Sequence, residues 1–195
     1  MEDFNLDDLL GQVNMNGVSA ESTGYQDLPN GYYLCEVETA SLEKSKNTGL
    51  PMVKFGLKVV QNGIIEVTDE DGNVYLQRTK GTKNRKIFKY YILDPSKDFE
   101  KAVKSVISDL LKFEGAEPGS ELLGEILRDD EGKLITPSTD ILVGCLEVII
   151  GSTIYVKSET SPSKKNPNEK STWTNLIGWG RADKLELLSV PAEEE

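Results

Sequence analysis

The chain contains no histidine, only two cysteines, and aromatic residues at 7%. Without histidine the commonest general base is missing. No P-loop, no Gly-x-Ser-x-Gly and no paired carboxylates at nuclease spacing occur either, so the chain reads as a non-enzyme. Cys35 and Cys145 form no CxxC or Cys/His pattern, which argues against a zinc site. Both lie in apolar, strand-like runs and are expected to be buried thiols. The acids of Asp69-Glu70-Asp71-Gly72 fail the spacing of an EF-hand loop, so neither metal nor other cofactor is expected. There is no apolar run of ~18 residues, as a membrane span would need, and no secretory signal pattern. The expectation is a soluble, intracellular protein.

What is present is charge, unevenly placed. The 22 basic and 33 acidic residues give a net charge of −11. Taken over the whole chain, that sign opposes binding to phosphates. Yet residues 1–40 carry eight acids and no Lys or Arg, residues 77–91 carry six bases and no acid, and the chain ends Glu193-Glu194-Glu195. Such segregation signals a partner.

Residues 1–27 read as a flexible acidic arm, in which Leu6, Leu9, Leu10 and Val13 fall on one helical stripe. After the turn Leu28-Pro29-Asn30-Gly31, the alternation Tyr33, Cys35, Val37 predicts a first strand, and Val53, Phe55, Leu57, Val59 a second. Ile64–Val67 and Val74–Leu76 bracket an acidic hairpin tip. A further strand is predicted over 84–93. Asp94-Pro95-Ser96 then opens a helix whose apolar stripe is Phe99, Val103, Val106, Ile107, Leu110 and Leu111, ending at Gly115. A short helix is expected at Glu121–Leu127, a strand pair or one long bent strand over Ile141–Val156, and a last strand over Thr172–Trp179. Strands, helix, strands, with an inserted hairpin, is the order of a five-stranded OB-fold barrel. The expected fold is thus mainly β with one main helix. The expected division is an arm at 1–27, a nucleic-acid-binding domain at 28–182 and an acidic tail at 183–195.

In OB folds the ligand crosses strands 2 and 3 between the loops after strands 1 and 4. The bases concentrate on those four elements: Lys44 and Lys46 in the first loop, Lys54 and Lys58 on the second strand, Lys80, Lys83, Arg85, Lys86 and Lys89 on the third and its approach, Lys157, Lys164, Lys165 and Lys170 in and beside the last loop. Stacking platforms are also needed. Phe88, Tyr90 and Ile92 form the more continuous apolar set of the third strand and are assigned to the core. Tyr91 then faces outward with Arg85 and Lys89. Trp173 and Trp179, six residues apart, are placed on one face of the last strand, where at least one belongs to the core; Tyr155, on the face of Lys157, is a further candidate. These residues point to a single-stranded nucleic acid, DNA or RNA, bound without sequence preference.

Leu28-Pro29-Asn30-Gly31-Tyr32-Tyr33, followed by Lys44-Ser45-Lys46-Asn47-Thr48-Gly49-Leu50-Pro51-Met52, resembles a family of small bacteriophage single-stranded DNA-binding proteins over residues 28–60. The resemblance implies a role in phage DNA replication, recombination or repair in the host cell cytoplasm, and a binding role for Lys44 and Lys46. Replication or recombination proteins of phage or host are the implied partners, recruited through the acidic arm or tail. Homo-oligomerisation is compatible with the sequence. The tail departs from bacterial single-strand-binding tails, since no aromatic residue ends it. Two rival readings are a β-rich phage structural or assembly protein, and an acidic DNA mimic that inhibits a host defence protein. The mimic explains the net charge and leaves the basic groove unexplained.

Overall fold

The structure is a computed structural model that describes residues 28–114, 120–162 and 170–191. The arm 1–27, Gly115, the segment holding Lys164 and Lys165, and Glu193–Glu195 lie outside the described residues. Among the described residues, seven antiparallel strands form one sheet: β1 (Gly31–Lys44), β2 (Pro51–Val59), β3 (Ile64–Thr68), β4 (Val74–Arg78), β5 (Lys86–Ile92), β6 (Thr153–Pro162) and β7 (Lys170–Ile177). The order is β4-β3-β1-β2-β5, with β6 on β1 and β7 on β6. The helices are α1 (Phe99–Leu111), α2 (Ser120–Leu127), α3 (Thr139–Val148) and α4 (Trp179–Lys184), followed by a 3₁₀ turn at Leu187–Ser189. No helix among the described residues is long and apolar enough to cross a membrane.

Strand β1 organises the sheet. Gly31–Glu36 pairs with β6, and Cys35–Lys44 pairs with β2, with a register shift between Val37 and Thr39. Such a bulge bends the strand and strengthens its twist. Alternation puts Tyr33, Cys35 and Val37 on the same side as Val53, Phe55, Leu57 and Val59, and all seven are fully buried. Helix α1 closes over them with Val106, Ile107 and Leu110, joined by Leu123 and Leu127 of α2. The sheet is not closed, because β5 and β7 share no ladder among the described residues.

The strand expected over Ile141–Val156 is corrected to α3, a turn and β6. An apolar run of this length fits either state by periodicity. Leu142, Cys145, Leu146 and Ile149 bury one helical stripe, and the Ser138 hydroxyl accepts from the Ile141 N–H to cap the helix. Cys145 is buried as expected, but on a helix.

The C-terminal boundary at 183 is also revised. Residues through Val190 pack a second apolar cluster in which Tyr32, Ile64, Tyr155, Ile177, Ala182 and Leu187 are buried. The Arg78 guanidinium fastens this strap by donating to the carbonyls of Val190 (2.7 Å) and Pro191 (3.0 Å).

One buried and one half-buried tyrosine make stability sensitive to alkali. Burial pushes the Tyr33 phenol up to about 12. Tyr91 is also raised, by burial and then by its bond to Asp109. The unfolded phenol titrates near ~10, so the folded state holds these protons longer, and stability falls as pH climbs from there toward Tyr33's folded value. Urea midpoints should drop between pH ~10 and ~12, and Tyr33→Phe with Tyr91→Phe should flatten that slope.

Candidate nucleic-acid interface

Directly opposed residues of an antiparallel pair share a face. In the β2–β5 register, Val53 meets Tyr91, Phe55 meets Lys89 and Leu57 meets Ile87 on the core side. The outer side therefore carries Met52 beside Ile92, Lys54 beside Tyr90, Gly56 beside Phe88 and Lys58 beside Lys86. This reverses the expected assignment of β5. Phe88 is 43% exposed and Tyr90 52%, while Tyr91 turns inward.

The inversion has a cause in α1. Asp109 lies in the helix's buried stripe. Its carboxylate accepts from the Tyr91 hydroxyl and pairs with Lys89 at 2.8 Å and Lys112 at 2.7 Å. The Lys89 side chain is 14% exposed and that of Asp109 3%. A buried carboxylate needs such partners. Once Lys89 and Tyr91 satisfy it, Phe88, Tyr90 and Ile92 are left outside. Tyr91 and Lys89 are thus removed from the outer face, and Tyr91 packs edge-on against Phe55.

Phe88 and Tyr90 stack on one another, with centroids 6.2 Å apart and planes 17° from parallel. Gly56, beside Phe88, makes room for the Thr39 side chain of β1. A Cβ there would come 2.3 Å from the Thr39 Oγ1 and 3.5 Å from the Phe88 ring. The Lys54 ammonium sits 5.5 Å over the Phe88 centroid, a cation–π contact. Lys54 also reaches Glu43 at 3.8 Å, and Lys86 pairs with Glu38 at 2.7 Å. Exposed pairs of this kind are worth ~0–1 kcal/mol, so a phosphate can take over the lysines. Lys44 and Lys46 are exposed at the end of β1 and in its turn, Lys83 is exposed before β5, and Arg85 is half-buried there.

The remaining candidates separate. Tyr155 is 3% exposed and packs edge-to-face with Trp179, centroids 5.3 Å apart. Trp179 opens α4 and does not belong to the last strand. Its indole N–H donates to the Thr153 carbonyl at 3.1 Å. Both rings hold the C-terminal strap on the sheet and are corrected from candidate platform to structural contact. Trp173 stands apart from Trp179 on β7, 59% exposed, opposite Glu159. Lys157 pairs with Glu159 at 2.9 Å and lies 5.6 Å over the Tyr32 ring; its pKa is raised chiefly by the bond to Glu159.

The pair that the sequence reading missed is Phe88 and Tyr90. The signal was Asp109 in the apolar stripe of α1, since a buried carboxylate demands a polar partner on the strand it covers. Comparison with known proteins finds no matching family model and no curated protein with significant similarity. Function is therefore read from the geometry of this face.

Proposed function

We propose that the protein binds single-stranded DNA, without sequence preference, on the outer face of β1, β2 and β5. The observation that carries this is the exposed Phe88–Tyr90 stack among Lys54, Lys58 and Lys86. Every base offers a π-face, so two rings on one strand give sequence-tolerant platforms, while the lysines take the backbone. The fold supports the same reading. Strands β1, β2, β5, β6 and β7 run in OB order, with three helices between β5 and β6 and the β3–β4 hairpin inserted before β5. In an OB fold this face is the ligand face. Lys44 and Lys46 lie on its rim, and Trp173 offers a further ring on the β6–β7 hairpin. The resemblance of residues 28–60 supports a place in phage DNA replication, recombination or repair, with the acidic termini serving replication or recombination partners or competing for the groove.

Anisotropy titration of labelled oligo-dT, beside a duplex of equal length, tests the reading. The single strand should bind more tightly, and its affinity should fall steeply with salt as counterions are released. No binding to oligo-dT at low salt would refute it.

A further inference from the structure

The inserted hairpin ends the sheet in a strand edge that is unlike the other edges. The Asp69 N–H donates to the Asn73 carbonyl, and the Thr79 N–H to the Gly63 carbonyl. Odd-numbered residues of β4 therefore turn their backbone groups toward β3. In an antiparallel ladder the even ones, Val74, Leu76 and Arg78, then turn theirs to the side that carries no strand among the described residues. Natural edges are usually blunted by lysine, proline or a covering element. Strand β5 carries Lys86 and Lys89 and β7 begins at Lys170, but β4 reads Val-Tyr-Leu-Gln-Arg. Its one cation, Arg78, is turned to the carbonyls of Val190 and Pro191. Val74 is 65% exposed and Tyr75 48%.

We propose that β4 is the contact strand of a symmetric homodimer, pairing antiparallel with β4 of a second copy about a two-fold axis through Leu76. This centre is the one that satisfies all three outward residues. Leu76 pairs with its own counterpart, Val74 with Arg78 of the second copy, and Arg78 with Val74 of the second copy. Such an isologous contact closes on itself. The charges select the same register. Asn73 falls opposite Thr79 of the second copy, which carries the acidic tip, with exposed Glu70 and Asp71, toward exposed Lys80 of that copy, twice over by symmetry. Val74 and Leu76 also line a cleft of about 600 Å³ against the C-terminal strap, beside Leu185 and Val190, and the second copy's Val74 would cover its mouth. The hairpin meets β1 at Tyr32, beyond the Cys35–Lys44 stretch that pairs with β2, and β4 shares no ladder with β2 or β5 among the described residues, so two DNA-binding faces would be joined in one particle.

Sedimentation equilibrium of the full chain without DNA, up to about 50 µM, reads the proposal independently of DNA binding. A dimer is expected. Val74→Pro removes an outward N–H while sparing the β3 ladder, and should give a folded monomer by circular dichroism. Asp71→Lys or Lys80→Glu alone should weaken association about tenfold or more, and both together in one chain should restore it. A wild-type monomer at the highest concentration, a dimer indifferent to Val74→Pro, or a charge swap that fails to restore association would each overturn the proposal. Should Val74→Pro unfold the hairpin, the charge swap decides alone.

Discussion

Replacing Phe88 and Tyr90 together by alanine is expected to weaken binding to oligo-dT by about 2 kcal/mol or more, roughly thirtyfold, because base–aromatic stacking contributes ~1–3 kcal/mol per base. The fold should survive, since both rings are about half exposed and their loss opens no internal cavity. Tyr91→Phe is the matched control. It changes an aromatic side chain one residue away, on the opposite face of the same strand, and should leave affinity within about twofold. Charge reversal of Lys54 and Lys86 should also weaken binding, with a shallower salt slope than wild type, because fewer counterions are released. Loss of affinity on Tyr91→Phe with none on Phe88→Ala/Tyr90→Ala would mean that DNA does not use this face.

Asp109→Ala should destabilise the protein by ~3–5 kcal/mol, because Lys89 would be left in a nearly dry site with its partner gone. Lys112 is half-buried and can turn to water, so its share of the loss is small. Lys89→Met combined with Asp109→Leu removes both charges and should recover most of the stability, as apolar replacements of buried ion pairs commonly do. Chemical denaturation of the single and double variants measures the difference. A loss below ~1 kcal/mol for Asp109→Ala would mean that water, not Asp109, solvates Lys89. The node also sets the register of β5. If Asp109→Ala loosens that strand, DNA affinity should drop without any residue of the outer face being altered, whereas the double variant should bind normally.

Much of this molecule was legible in the order of its residues. Period-two alternation placed β1 and β2 and their buried faces, because a strand that lines a core can expose only every second side chain. Turn residues placed the β3–β4 hairpin, and the 3.6-residue stripe from Val103 to Leu111 placed α1. The segregation of charge pointed to an anionic partner in a chain whose net charge argues against one. The tertiary structure decided three further points. The run from Ile141 is apolar enough for either state, and it became α3 only because Leu142, Cys145, Leu146 and Ile149 have a core to meet. Residues 183–190 read as an acidic tail, yet Tyr32, Tyr155 and Ile177 leave an apolar surface on which Leu187 and Val190 settle. Hydrophobicity ranks the faces of β5 the wrong way round, since Lys86-Phe88-Tyr90-Ile92 outscores Ile87-Lys89-Tyr91 yet lies outside. The choice was made 18 residues away, by a buried carboxylate at Asp109 that requires a cation and a hydroxyl opposite it, and this put the aromatic pair on the surface.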